Sequence, residues 1–226
     1  TDFFKSNKVK YVITIDEDTN LILGSVKKLV GAMEHILNKP EVDVIQNKVI
    51  SGHGIIQPRI AIDIESANKT KFSRIFTNNM SGLDIYTNAI SDTYQDNFDE
   101  GIYTGKGIYD LKTFYKLLNN QIKENTVLSH DLLEGNILRC GLATDIVLLD
   151  SYPSNYNSYK IRKHRWIRGD VQLIPYLKEH MNLLSKYKIV DNLNRNLNEA
   201  CITICFIFAV IAKKYLLLPL TILGII

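Results

Sequence analysis

The sequence supports an α/β fold on three observations. A short β-branched run, Tyr11-Val12-Ile13-Thr14-Ile15, stops abruptly at Asp16-Glu17-Asp18, as a buried strand does where it reaches the edge of its sheet. Segments with apolar residues at helical spacing alternate with further runs of this kind, which argues for a sheet covered on both faces. The composition is that of a globular chain: 226 residues, 46% apolar and 23% charged. That is enough to bury a core in one domain of moderate size, and it excludes a disordered or collagen-like chain.

The elements follow in order. After the first strand, Ser25 can cap a helix with apolar positions at Val26, Leu29, Val30, Met33, Ile36 and Leu37, and Pro40 stops it. Residues 55–64 read as a strand, and Pro58 places that strand at an edge or a bulge. Phe72, Ile75 and Phe76 suggest a helix. Residues 101–110 form a glycine-punctuated strand and turn, and Asp110 caps a helix running through Leu118. Ser129 caps a helix from His130 to Cys140 that Gly141 ends, residues 145–149 form a strand, and a long helix covers about 157–179.

Near residue 200 the chain changes character. CITICFIFAVIA (201–212) leads through Lys213-Lys214-Tyr215 to LLLPLTILGII (216–226). A single helix across the whole stretch would hold two lysines near mid-bilayer, at about 2.5–3.5 kcal/mol each. The expectation is a transmembrane hairpin over 198–226, its second helix truncated, preceded by an amphipathic membrane-surface helix over 185–197; a buried core hairpin is the alternative. The globular domain then occupies 1–184. Three cysteines (Cys140, Cys201, Cys205) make no disulfide framework and no Cys-x-x-Cys metal pattern. The chain opens on Thr1 with no signal peptide and reads as a piece of something longer. All 24 acidic residues and all but two of the 27 basic ones precede Cys201. The part before Cys201 is therefore near neutral, and composition alone gives no reason to expect a polyanion partner.

Three clusters can carry chemistry. Asp16 and Asp18 stand at the carboxyl end of a strand, where open α/β sheets bind ligands, and two carboxylates there can converge on a hard divalent cation. The plain alternative is an acidic turn. A phosphatase motif is disfavoured because Asn20 stands where Thr is needed. Asp131, in Ser129-His130-Asp131-Leu132-Leu133-Glu134-Gly135, opens a helix. A carboxylate there can cap the helix or accept a proton from a hydroxyl nucleophile, and His130 is a second possible base. Arg162, Arg165 and Trp166 share one helix face, with Arg168 beyond. Arginine forks suit phosphate oxygens and an indole suits a sugar face or a cation; a nucleic-acid or membrane-surface patch would also use such residues. Tyr103-Thr104-Gly105-Lys106-Gly107 is a weaker signal for close backbone approach to a ligand.

The order of these features resembles the processive, inverting family 2-like glycosyltransferases of GT-A fold, such as cellulose, chitin and hyaluronan synthases. Ser-His-Asp at 129–131 departs from their Thr/Glu-Glu-Asp motif, and Arg162 stands in place of Gln in Gln-x-x-Arg-Trp. The segments ITIDEDT (13–19), GIIQPRI (54–60), YTNAISDTYQD (86–96), GKGIYD (105–110), LSHDLLEG (128–135), HRWIRGD (164–170) and KIVDNLNRNL (188–197) are similar to the glycosyltransferase domain of cyclic β-1,2-glucan synthases. Glu17 departs, where many relatives carry Ala.

The resemblance implies a GT-A fold incomplete at its N-terminus, followed by transmembrane helices. It implies UDP-glucose as donor, a growing β-1,2-glucan as acceptor, and Mg²⁺ or Mn²⁺ held by Asp16 and Asp18. It implies Asp131 as general base, Arg162, Arg165 and Arg168 as diphosphate contacts, and Trp166, Gly105, Lys106 and His130 on the acceptor side. The catalytic domain would face the cytoplasm at the inner membrane, covalently continuous with further domains, and nucleic acid would not be a partner. The competing readings are a related polysaccharide synthase with another sugar or linkage, an inactive membrane-anchored remnant that binds sugar nucleotides, and, third, a nucleic-acid binder.

Overall fold

A computed structural model describes residues 9–77, 93–119, 121–122, 125–178 and 181–211. Residues 86–92 of the YTNAISDTYQD segment, the lysines at 213 and 214 and the apolar run 216–226 lie outside them. The chain divides into two compact units, Thr1–Arg162 and Lys163–Ile226.

The first unit is a mixed α/β domain. Its five-stranded sheet has the order β1 (Tyr11–Thr14), β6 (Gly107–Asp110), β5 (Ile55–Ile62), β7 (Cys140–Asp150), β2 (Thr19–Leu21). The β5–β7 pair is parallel, while β1–β6, β5–β6 and β2–β7 are antiparallel. Strands β3 (Glu41–Asp43) and β4 (Lys48–Ser51) form a separate hairpin. Successive strand residues point to opposite faces, and β5 shows how this builds two cores. Ile56 packs with Ile108, Ile146 and with Leu29 and Met33 of helix α1 (Ser25–Glu34). Ile55 faces the other way, onto Val49, Tyr103, Cys140, Leu117 and Leu118 of α5 (Leu111–Leu118) and Leu138 of α6 (Asp131–Leu138). The sheet is thus covered on both faces, as the alternating pattern predicts. Each fully buried Leu or Ile contributes about 1.5–3 kcal/mol of transfer free energy.

Local details refine the sequence reading. Ser25 does not cap α1: Gly24, at φ +89°, holds the cap position, and the buried Ser25 hydroxyl donates to the Val147 carbonyl at 3.3 Å. The helix ends at Glu34, well before Pro40, and Ile36 and Leu37 turn outward in a short 3₁₀ segment. Pro58 lies in the central strand and not at an edge. Pairing of β5 with β6 covers Ile55 and Ile56 alone, and the β5–β7 register shifts between Pro58 and Arg59, so the bulge expectation holds. Asp110 caps α5 as expected, accepting from the Thr113 N–H at 2.8 Å. Helix α6 ends at Arg139, in the left-handed region at φ 52°, and not at Gly141. Arg139 is held there by its guanidinium, which donates to Gly52 O and Asp99 Oδ2, both at 2.9 Å, and by His53 Nδ1–H on its carbonyl at 3.0 Å. Three short helices complete the unit: α2 (Ile64–Asn68), α3 (Lys71–Thr77) and α4 (Thr93–Phe98).

Helix α7 (Tyr156–Gln172) crosses the division between the units after Arg162. Within the second unit, Asp170 accepts from Asn192 Nδ2 at 3.4 Å and Asn196 Nδ2 at 2.6 Å, which pins α8 (Leu183–Ile211) to the end of α7. The expected surface helix and the start of the expected spanning segment are parts of this one unbroken helix. Among the described residues no helix is long and apolar enough to cross a membrane. The apolar stretch of α8 enters at Cys201 and the described residues end at Ile211; at 1.5 Å per residue that covers roughly 16 Å of a ~30 Å hydrocarbon core.

Candidate active site

Strand β1 ends at Thr14, whose hydroxyl hydrogen-bonds the Tyr103 hydroxyl at 2.7 Å and so ties the strand end to the 101–106 segment. Burial holds the Tyr103 phenol well above its ordinary pKa, so the bond is between two neutral hydroxyls. The chain then turns over Asp16–Thr19, closed by the Thr19 N–H on Asp16 O at 3.1 Å, and the Ser151 N–H holds Asp18 O at 3.0 Å. This turn presents the acidic pair. The Asp16 side chain is 51% exposed and that of Asp18 32%, so both are open to a ligand.

Each carboxylate of the pair already meets a protein cation. Asp16 Oδ2 lies 3.0 Å from Lys106 Nζ, and Asp18 Oδ2 pairs with Arg162. Lys106 is itself buried and also pairs with the buried Asp150, whose other oxygen accepts from Thr19 Oγ1 at 2.7 Å. Both ends of the acidic turn are therefore tied to the same buried ion pair, Asp16 directly and Thr19 through Asp150.

Lys106 is delivered by a tightly built turn. Gln57, fully buried on β5, accepts through Oε1 from the Thr104 N–H at 2.6 Å and from Thr104 Oγ1 at 3.0 Å. The next residue, Gly105, sits at φ +88°, where a side chain would be strained. A Cβ there would lie 3.1 Å from Asp131 Oδ2. The Asp131 carboxylate thus packs directly on the Gly105 backbone, while the following residue holds Asp16. Asp16 and Asp131, far apart in sequence, thus contact consecutive residues of one turn, Asp16 through the Lys106 side chain and Asp131 on the Gly105 backbone.

Asp131 is the first residue of α6, and the Ser129 hydroxyl donates to its Oδ2 at 2.8 Å. Ser129 therefore orients Asp131 and does not cap the helix, and His130 at the cap position makes no side-chain cap bond. The helix is pressed onto the 101–106 segment at Gly135, where a Cβ would lie 2.6 Å from that of Tyr103. His130 Nδ1 bonds Glu134 Oε1 at 2.7 Å, and this bond raises the His130 pKa above its ordinary value against a smaller opposing effect of burial. Ligand atoms of His130, Asp131 and Glu134 lie within 4.8 Å of one another; the His130–Glu134 bond accounts for that grouping.

The first unit thus assembles Asp16, Asp18, Gly105, Lys106, His130, Asp131 and Arg162, all singled out from sequence. Arg165, Trp166 and Arg168 belong to the second unit and are solvent-exposed there. The Lys106 ammonium is buried and engaged by two carboxylates. Two cavities of the described residues, about 390 Å³ lined by Lys10, Tyr11, Met33 and Lys112 among others and about 340 Å³ lined by His53, Asp99 and Arg139 among others, lie away from the acidic turn. The turn itself is open. Sequence reasoning missed Asp150, although it ends an apolar β-branched run just as Asp16 does. It also missed Gln57, whose role depends on a contact with Thr104, 47 residues away.

The comparison with known proteins bears on this geometry. The chain is 44% identical over 193 residues to the cyclic beta-(1,2)-glucan synthase NdvB of Rhizobium meliloti (strain 1021). The match covers 84% of this chain and 7% of NdvB, so the chain is homologous to one small part of that protein. No protein-family model matches.

Proposed function

We propose that this chain is the glycosyltransferase part of a β-1,2-glucan synthase. It transfers glucose from UDP-glucose to a growing glucan with inversion at C1. Homology to part of NdvB supports the reaction class, and the observation that carries the mechanism is the convergence of Asp16 and Asp131 on the consecutive residues Lys106 and Gly105.

An Asp131 Oδ atom accepts the proton of the acceptor hydroxyl as its oxygen attacks C1, and Ser129 holds the carboxylate in place. The C1–O bond to the diphosphate breaks on the opposite face, and UDP leaves with the electron pair. Asp16 and Asp18 face that leaving side. Each commits Oδ2 to a protein cation and retains Oδ1 for a ligand, and two hard carboxylate oxygens fit Mg²⁺ or Mn²⁺. A divalent cation held there would neutralise charge on the departing diphosphate. Arg162, beside Asp18, adds a guanidinium on the same side. A phosphate role for Arg165 and Arg168 and an acceptor role for Trp166 rest on the resemblance alone. Gly105, with no side chain, leaves room beside Asp131 for an acceptor, and His130 lines its outer side. The protein would work at the cytoplasmic face of the inner membrane, joined to further domains.

The test is incorporation of labelled glucose from UDP-glucose by the intact protein in membranes, with linkage analysis of the product. Asp131→Asn is expected to lower turnover by about 10²–10⁴-fold, the usual range for loss of a general base. Retained turnover contradicts the base assignment, and a product lacking 1,2 linkages contradicts the acceptor assignment.

A further inference from the structure

Lys106 has no place in the transfer chemistry above, yet it is among the most constrained charges in the domain. Its side chain and that of Asp150 are each 7% exposed, while Asp16, its other partner, is 51% exposed. Both oxygens of Asp150 are committed, one to Lys106 and one to Thr19 Oγ1. The backbone on the Lys106 side is fixed by the two Gln57–Thr104 bonds and by Gly105. The ammonium therefore stands at a set point beneath the acidic turn, and the Asp16 carboxylate rests on it.

The charge balance gives this a consequence. Within the ion-paired set, Asp16, Asp18 and Asp150 face Lys106 and Arg162, and Glu17 in the same turn and Asp131 on Gly105 add further negative charge. A divalent cation arriving alone on Asp16 would nonetheless stand beside a buried ammonium that cannot withdraw and would be repelled by it. A diphosphate arriving with the cation brings at least two negative charges that offset this repulsion. We propose that Lys106 is a positioning residue that orients Asp16 and, as a resident counter-charge, holds down the turn's affinity for a divalent cation until a diphosphate binds with it. This rests on the reading of Asp16 and Asp18 as cation ligands. Metal and diphosphate then bind as a mutually dependent pair, and the coupling is reciprocal. A turn built this way does not sequester free divalent cations when no donor is present.

The experiment measures Mn²⁺ binding to the intact chain by electron paramagnetic resonance, with and without UDP, so that no turnover is required. The decisive comparison is between Asp150→Asn and the double variant Lys106→Met/Asp150→Asn. These differ only at Lys106, and in neither is a buried carboxylate left without a partner; thermal unfolding midpoints confirm that both fold. The double variant is expected to bind Mn²⁺ alone at least about tenfold tighter, since removing a unit charge a few ångströms from a divalent ion is a large Coulomb change even at high effective dielectric. UDP should then tighten Mn²⁺ binding by a smaller factor than it does in Asp150→Asn. Lys106→Arg, which keeps the charge, should behave as the wild type does. If the double variant does not fold, Lys106→Gln against wild type reads the same difference with the same expected sign. Equal Mn²⁺ affinity in the two variants, with Asp16→Asn still weakening it, overturns the role of Lys106 and leaves the metal assignment standing. Wild type and Asp16→Asn that bind Mn²⁺ equally, with or without UDP, overturn the metal assignment and the inference together.

Discussion

Asp131 owes its position to its neighbours: the Ser129 hydroxyl on one oxygen, the bare backbone of Gly105 against the carboxylate, and the His130–Glu134 pair beside it. The last of these predicts a pH response. The Glu134 carboxylate raises the folded-state pKa of His130 above its ordinary value near 6.5. A raised folded pKa means that the folded state binds the proton more tightly than the unfolded state does. The pair therefore stabilises the fold fully below about pH 6.5, and that contribution is lost as pH rises through the raised folded value. Half of the His130 side chain is exposed, so solvent screens the effect. Thermal unfolding of wild type and His130→Asn should differ at pH 5.5 and converge by pH 8.5. A difference that grows with pH would show that the pairing has the opposite linkage. At this scale the sequence was readable wherever chemistry and position coincided. Asp16, Asp18 and Asp131 stood out because a carboxylate at a strand end or a helix start is local information. The inward turn of Lys106 was not legible, because its partner Asp150 is 44 residues away.

Among the elements, local rules succeeded where one side chain decides a boundary. Asp110 caps α5 through a bond within three residues, and the β-branched run 11–14 forms β1. They failed where tertiary contacts outweigh them. Ser25 is drawn off capping by the Val147 carbonyl, and Arg139 is held in a left-handed conformation by Gly52, Asp99 and His53, so α6 ends before the glycine that should end it. Pro58 suggested an edge because a proline removes a ladder donor. The central strand tolerates it because pairing with β6 has already stopped and the β7 register shifts beside it. The 101–106 segment is the element on which the site depends, and Gln57 holds it. Gln57→Leu removes the acceptor of two hydrogen bonds and leaves the Thr104 N–H without that partner. The expected cost is about 1–3 kcal/mol in urea unfolding, as for a buried donor left unsatisfied, together with a fall in glucose transfer. Unchanged stability and transfer would show that the turn holds its shape without Gln57.

At the scale of the molecule, the α/β class, the doubly covered sheet and the convergence of the acidic turn with α6 are present in the first unit. Homology to one small part of NdvB supports the reaction class proposed for that convergence. The long apolar run after residue 200 was legible as composition, but within the described residues it continues α8 and does not begin a separate spanning helix. The proposed mechanism divides labour across one turn, with Asp16 serving the leaving diphosphate and Asp131 the attacking hydroxyl. Calorimetric titration of UDP with Mn²⁺ into Asp16→Asn and Asp131→Asn, beside wild type, separates the two roles. Asp131→Asn should bind the nucleotide as wild type does, and Asp16→Asn should bind it at least about tenfold more weakly, a loss of roughly 1.4 kcal/mol. Equal binding by the two variants, or a loss confined to Asp131→Asn, would contradict the account.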